Sequence, residues 1–300
     1  MLTGIHFLTT YACNFECDHC FLWCRPGSRG TFTADQVRTV LDEAVRLGTI
    51  ETVCFEGGEP FLYYPLVLEG IRLARVRGLA SGIVTNAYWA TSADDAWLWL
   101  RPLADLGVTS ISISDDSLHY GDDRGKHAER VTAAAQRAGM AAKVICTERP
   151  TVEPPPPDAP PGAPPRIAGG VMFRGRAAEK LPAGLPRRPW TDMTRCPHED
   201  LKDPRRVHVD SYGQVHLCQG LGMGDFWKVP LADLVKSYDP WSHPIAGPIL
   251  RGGPAQLARE YGVPHEDAYV DECHLCYKVR LGLMDRFPQY LGPRQVYGLD

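Results

Sequence analysis

The sequence predicts an α/β fold built on a parallel sheet, followed by a smaller cysteine-rich part. Three observations carry this. Through residue 147, short apolar or β-branched runs alternate with amphipathic helical stretches, which implies right-handed crossovers and a parallel sheet. Polar and glycine-rich clusters fall at the C-terminal ends of those runs, where parallel α/β barrels place their chemistry. Beyond about Pro186 the alternation stops, and four of the ten cysteines follow.

The elements read in order. Residues 4–9 form a buried strand. Thr33-Ala34-Asp35-Gln36 is a capping box, Val37, Val40, Leu41 and Ala44 share one helical face, and Gly48 closes the helix. Residues 52–56 form the next strand. Pro65 suits the first turn of a helix that carries Leu68, Ile71 and Leu73 and ends at Gly78. A strand over 81–85 leads to Ser92-Ala93-Asp94-Asp95, which opens a helix ending near Gly107. Residues 108–114 are a strand, 124–137 a helix ended by Gly139, and 142–147 a fifth strand. A sixth is expected at 170–173, so six units stand short of the eight of a closed barrel. Between them, residues 150–168 hold a proline-rich stretch unable to form a helix or a central strand, read as a loop or polyproline II linker. The expected boundaries are 1–149 for the core, 169–190 for its last strand and linker, and 191–300 for the cysteine-rich part and tail.

Composition bounds the function. The 300 residues are 44% hydrophobic with a net charge of −4. No global basic field points to nucleic acid and no polybasic tract to a membrane surface. No apolar run is long enough to span a bilayer, and the N-terminus lacks the features of a signal peptide. Cysteines clustered at metal-type spacings favour a reducing, cytoplasmic setting.

Cys13, Cys17 and Cys20 follow the first strand at offsets 0, 4 and 7. Three thiolates do not saturate an Fe4S4 cube, which normally takes four cysteines, so one iron stays open. The alternative is a zinc knuckle that borrows Cys24 or His19 as fourth ligand. Cys24 also reads simply as a small buried side chain. After the second strand comes Glu56-Gly57-Gly58-Glu59-Pro60, whose glycines permit close backbone approach. Thr85-Asn86 ends the third strand and Ser112, Ser114 and Asp115 the fourth. His119, Arg124 and His127 follow in a segment able to cap a pocket, each read as structural or solvated. Cys54 reads as core, and Cys146 ends the fifth strand where it can face the pocket.

The triad and the Gly-Gly-Glu-Pro string together resemble the radical S-adenosylmethionine (SAM) superfamily, with His19 where an aromatic residue usually precedes the third cysteine. The resemblance implies a partial (β/α)6 TIM-like barrel. It implies a [4Fe-4S] cluster on Cys13, Cys17 and Cys20, with SAM chelating the open iron. It places SAM against Gly57, Gly58, Glu59 and Pro60, with Glu56, Thr85, Asn86 and Ser114 as further contacts. It implies reductive cleavage of SAM to methionine and a 5′-deoxyadenosyl radical that abstracts a substrate hydrogen, with flavodoxin or ferredoxin as electron donor.

Cys196, Cys218, Cys273 and Cys276 form a second set. The segment 207–217 reads as a hairpin turning at Tyr212-Gly213. Four thiolates suit an iron–sulfur cluster or a structural zinc, and spacing alone does not separate them. A cysteine, then Gly213-x4-Cys218, then Cys273-x2-Cys276 is similar to the twitch domain, the shortened SPASM appendage of radical SAM enzymes. Gly175-Arg176-Ala177, Gly224-Asp225-Phe226-Trp227 and Leu231-Ala232-Asp233-Leu234 look like the same family's linker and cap. That resemblance implies one auxiliary [4Fe-4S] cluster, which accepts the electron left on a substrate radical. Oxidation or crosslinking of a peptide or a small natural-product precursor follows from it. With Cys13 so near the start, a fused peptide-recognition domain is disfavoured and a separate recognition protein is the way to supply one. The alternatives are radical epimerisation with Cys146 as hydrogen donor, and a non-catalytic zinc-binding module.

Overall fold

The computed structural model describes residues 1–160 and 162–299; Pro161, inside the proline-rich stretch, and Asp300 in the tail lie outside the described residues. β1 (Gly4–Thr10) leads through a long loop, which holds the first cysteines, to α1 (Ala34–Leu47). There the capping box closes in both directions: Gln36 N donates to Thr33 Oγ1 at 3.2 Å and Thr33 N to Gln36 Oε1 at 2.9 Å. Val37, Val40, Leu41 and Ala44 are the buried stripe. β2 (Thr52–Gly57), α2 (Tyr64–Val76), β3 (Ala80–Thr85), α3 (Ala93–Asp105), β4 (Ser110–Ser114), α4 (Lys126–Arg137) and β5 (Ala141–Ile145) follow. These five strands pair in parallel in chain order. One face of the sheet packs apolar side chains against the helices, with the rings of Phe7 and Phe55 stacked 5.0 Å apart. Alternation sends His6, Cys54 and Glu56 to the opposite, inner face.

Three further strands extend this sheet past β1 rather than past β5. β6 (Arg206–Asp210) runs parallel to β1, and β7 (Gln214–Cys218) and β8 (Leu221–Asp225) follow it antiparallel. The order is β8-β7-β6-β1-β2-β3-β4-β5. The hairpin expected over 207–217 is the β6–β7 pair, and it is continuous with the core sheet. α5 (Leu231–Ser237), α6 (Ala246–Tyr261) and α7 (Glu272–Leu283) complete the C-terminal part. Buried side chains of both parts belong to one hydrophobic core.

The sixth strand expected at 170–173 is a correction. The segment joins no ladder. Gly169, Gly170 and Gly175 take positive φ values of 103°, 75° and 60°. They bend the chain away from a strand path and across the cysteine loop, where Arg176 N donates to Cys20 O at 2.9 Å. The proline-rich stretch is more ordered at its ends than a loop or linker implies. Thr151–Glu153 and Arg166–Ala168 pair antiparallel, with Arg166 held to Glu153 at 2.8 Å. The described prolines between them occupy the tip, where no ladder needs an N–H.

Candidate functional site

At the C-terminal ends of the parallel strands lies a cavity of about 290 Å³, near the lower end of small-molecule pockets. Cys13, Cys17, Cys20 and also Cys24 line it. The loop after β1 aims backbone donors at two sulfurs: Phe15 N lies 3.4 Å from Cys13 Sγ and Cys24 N 3.3 Å from Cys20 Sγ. Burial pushes the Cys13 thiol up to about 12 and raises Cys17 as well. Contact with the Cys24 thiol, helped by the backbone donors, draws Cys20 down to about 6. Arg176, 2% exposed, supplies a buried positive charge behind the loop. Its Nη1 donates to Cys17 O at 2.6 Å and its Nη2 to Cys24 O at 2.9 Å. Converging thiols, N–H donors and a buried cation suit an anionic iron–thiolate group. His19 stands there too, lowered by burial to about 4. Cys17, His19 and His119 offer ligand atoms within 4.8 Å of one another, so donors for the zinc alternative are also assembled.

The Gly57-Gly58 pair is explained by the chain itself. Gly58 N donates to Thr10 O at 2.6 Å and Glu59 N to Ala12 O at 2.9 Å, stitching the end of β2 to the cysteine loop. Gly57 has φ +134°, and a Cβ on it would sit 2.6 Å from Thr10 O. One on Gly58 would sit 2.7 Å from the Ala12 carbonyl carbon. Both obstacles are backbone, so Gly58→Ala is expected to cost about 3 kcal/mol, the upper end for overpacking. The check is the urea midpoint together with the iron retained after reconstitution.

Glu59 and Pro60 stand off the cavity wall. Glu59 is fully buried and brackets two strand ends. Its Oε1 accepts from Phe61 N at 3.0 Å and from Thr85 Oγ1 at 2.7 Å, and its Oε2 from Asn86 N at 2.7 Å. Burial outweighs these donors and raises the carboxyl from 4.5 to about 7. An acid raised on folding stabilises the fold below its unfolded pKa and loses that contribution as pH rises through the folded value. Glu59 is therefore expected to remove about 3 kcal/mol of stability between about pH 4.5 and 7. Melting curves against pH should show this slope in the parent protein and its absence in Glu59→Gln.

Thr85, Asn86, Ser114, Glu56, Gly57 and Gly58 do line the cavity. Asn86 reaches across it, with Nδ2 donating to Asn14 Oδ1 at 2.9 Å and lying 3.8 Å from Cys13 Sγ. Tyr120 OH donates to Asn86 O. Asp116 caps the one-turn helix Ser117–Tyr120 and also holds His119 Nδ1 at 2.9 Å. His127 pairs with Ala87 O, and Arg124 with Glu148. Cys146 is a correction: Ile145 and Thr147 are on the wall, whereas Cys146 is exposed, its thiol 3.3 Å from Glu148 Oε1. Extended backbone turns alternate residues to opposite sides, so Cys146 points away from the cavity.

The second cysteine set also converges. Cys196, Cys218, Cys273 and Cys276 line one small cavity of about 30 Å³. Cys218 ends β7, and Cys273 and Cys276 lie in the first turns of α7, whose Asp271 cap accepts from His274 N at 2.7 Å. Burial raises Cys196 and Cys273 and pushes Cys276 up to about 11, so a bound metal is what would keep these sulfurs ionised. Two buried arginines flank them. Arg280, 1% exposed, bonds to Gln219 O at 2.9 Å and has no carboxylate partner among the described residues. A buried cation without a carboxylate suits an anionic metal–thiolate group. Arg174 lines both cavities, with Nη1 3.1 Å from Cys218 Sγ and 3.2 Å from Glu199 Oε1. Sequence reasoning assigned no role to Arg174, Arg176, Asn14 or Asp116. The Gly175-Arg176 string was the one available signal.

A family model described as the Radical SAM superfamily matches residues 7–147. The chain is 27% identical over 107 residues to a putative peptide biosynthesis protein, YydG, of Bacillus subtilis (strain 168), covering 36% of this chain and 34% of that protein. It is 32% identical over 110 residues to a tungsten-containing aldehyde ferredoxin oxidoreductase cofactor-modifying protein of Pyrococcus furiosus, covering 36% and 29%. The aligned stretch thus spans 34% and 29% of these two curated relatives. Among solved structures, BtrN in complex with AdoMet and 2-DOIA has a TM-score of 0.51 at 15% identity, over 78% of this chain and 82% of that one. Native anSMEcpe with bound AdoMet and Cp18Cys peptide has a TM-score of 0.52 at 12% identity, over 99% and 98%. At such identities the likeness is one of fold, a parallel α/β sheet of the partial-barrel kind. No helix among the described residues is long and apolar enough to cross a membrane. With the cysteine triad at the strand ends and the family match over the same residues, 7–147 form a radical SAM domain.

Proposed function

We propose that the protein cleaves SAM reductively and uses the resulting radical to oxidise or crosslink a substrate, with a second cluster taking up the remaining electron. The observation that carries this reading is the second cavity, where four cysteines meet beside two buried arginines. When bound, the first cluster supplies the electron that breaks the bond from the SAM sulfonium to C5′ and so generates the radical that takes a substrate hydrogen.

The chain's own residues hold and shield. Cys13, Cys17 and Cys20 carry the cluster, Glu56 to Gly58, Thr85, Asn86 and Ser114 form the wall against SAM, and Arg176 offsets negative charge. Glu59 and Pro60 shape the wall from behind. Cys196, Cys218, Cys273 and Cys276 carry the auxiliary cluster of a twitch-type domain, and Arg174 spans the two cavities. The relation to YydG favours a peptide substrate over a small natural-product precursor, delivered by a separate recognition protein. A flavodoxin or ferredoxin supplies electrons in a cytoplasmic setting.

The test is metal analysis of oxygen-free protein. About eight irons and about eight sulfides per chain are expected. Zinc without sulfide, at either cysteine set, sinks the reading for that set.

A further inference from the structure

On the inner face of the sheet, three side chains from neighbouring strands meet. His6 on β1 is in register with His208 on β6 and with Cys54 on β2. Glu56, two residues beyond Cys54, points the same way. Glu56 Oε1 lies 3.0 Å from His208 Nε2 and 3.3 Å from His6 Nδ1. Yet Glu56 Oε1 and His6 Nδ1, two of the three atoms that face one another, are buried without a hydrogen-bond partner. His208 is 5% exposed. The nitrogens therefore approach the carboxylate without the alignment of a hydrogen bond.

A second histidine–carboxylate pair on the same sheet gives the contrast. Asp210 accepts from Tyr11 OH at 2.8 Å and His216 Nε2 at 3.2 Å, and from the backbone N–H groups of Tyr212 and Gln214 at 3.0 and 2.9 Å. His216 Nδ1 in turn accepts from Gly220 N at 3.2 Å. That cluster is satisfied by its own chain. The His6–Glu56–His208 cluster is not, and unsatisfied buried polar atoms call for a missing partner.

We propose that His6, Glu56 and His208 bind a divalent first-row transition-metal ion. A tetrahedral ion with bonds of about 2.0–2.1 Å to imidazole nitrogen and carboxylate oxygen sets neighbouring ligand atoms about 3.3 Å apart. The two observed separations match that spacing, and all three ligand atoms lie within 4.8 Å of one another. Two imidazoles and one carboxylate are a ligand set of zinc and of ferrous iron. Three protein ligands leave a position free. Glu56 is on the wall of the larger cavity, so the free position serves a substrate carrying a hydroxyl, carboxylate or amide oxygen. The ion is a substrate anchor, separate from both cysteine sets.

The experiment uses the reconstituted holoprotein. It is equilibrated with zinc sulfate, desalted and analysed for zinc, iron and sulfide, and zinc is located in crystals by anomalous scattering at its absorption edge. Expected are about one zinc per chain and an anomalous peak between the three side chains. His6→Gln and Glu56→Gln should each weaken zinc binding by more than about tenfold with iron and sulfide unchanged. His6 has its side chain 26% exposed, so its variant tolerates the change even if Glu56→Gln folds poorly. A parent protein that retains no zinc, a peak elsewhere, or variants that retain zinc as the parent does would each overturn the proposal. SAM cleavage is not part of the readout, so the reading of the cysteine sites stands or falls separately.

Discussion

Cys17→Ala protein is expected to carry about four irons per chain rather than about eight, and to form no 5′-deoxyadenosine from SAM under strong reductant. The sulfur removed is one of three that converge on the larger cavity. Its neighbours cannot compensate equally. Cys24 is a further thiol on the same cavity, but it is buried and engaged with Cys20. A loss of at least about 1,000-fold in cleavage is the scale seen when the group performing the chemistry is removed. The far-UV spectrum should be unchanged, because Cys17 is only partly buried and no strand or helix includes it. Normal cleavage by this variant would mean that the triad does not hold the reactive cluster.

Cys273→Ala should show the opposite split. The iron again falls to about four per chain, yet SAM is still consumed while substrate product is lost. The reason is spatial. The second cavity has its own four cysteines and is separated from the first by Arg174, whose guanidinium touches Cys218. Removing Cys273 leaves the first site's wall intact. It also leaves Arg280 buried without a countercharge, so some loss of stability, on the order of 3 kcal/mol, should accompany the loss of iron. Simultaneous measurement of 5′-deoxyadenosine and of product decides the matter. Product formed at the parental rate would remove the second site from the reaction.

Much of this was legible because the signals are local. A capping box, a stripe of apolar residues and a closing glycine specify α1 without reference to the rest of the chain. The β1–β5 strands are short apolar runs bounded by turn residues, and their parallel pairing follows from the helices between them. The cysteine triad is legible because one loop delivers all three sulfurs. Misreadings came where long-range packing decides. Residues 170–173 look like a strand, but their flanking glycines adopt positive φ to cross the cysteine loop. Cys146 ends a strand at the pocket, but one residue of register sends its thiol outward. The glycines at 57 and 58 line the cavity, and the packing adds a demand with no local signal, since the backbone at Thr10 and Ala12 stands where a Cβ would sit.

Spacing and periodicity, then, determined the parallel α/β architecture and the membership of the first cysteine set. Those properties depend on residues close in the chain, where stereochemistry alone sets which side chains meet. Only the tertiary structure decided that β6 to β8 extend the sheet beyond β1, and that four cysteines spread from Cys196 to Cys276 share one cavity. It alone placed Arg174 between the two cavities and gathered His6, Glu56 and His208. Such contacts join residues up to about 200 positions apart, and strand order rather than any local pattern brings them together.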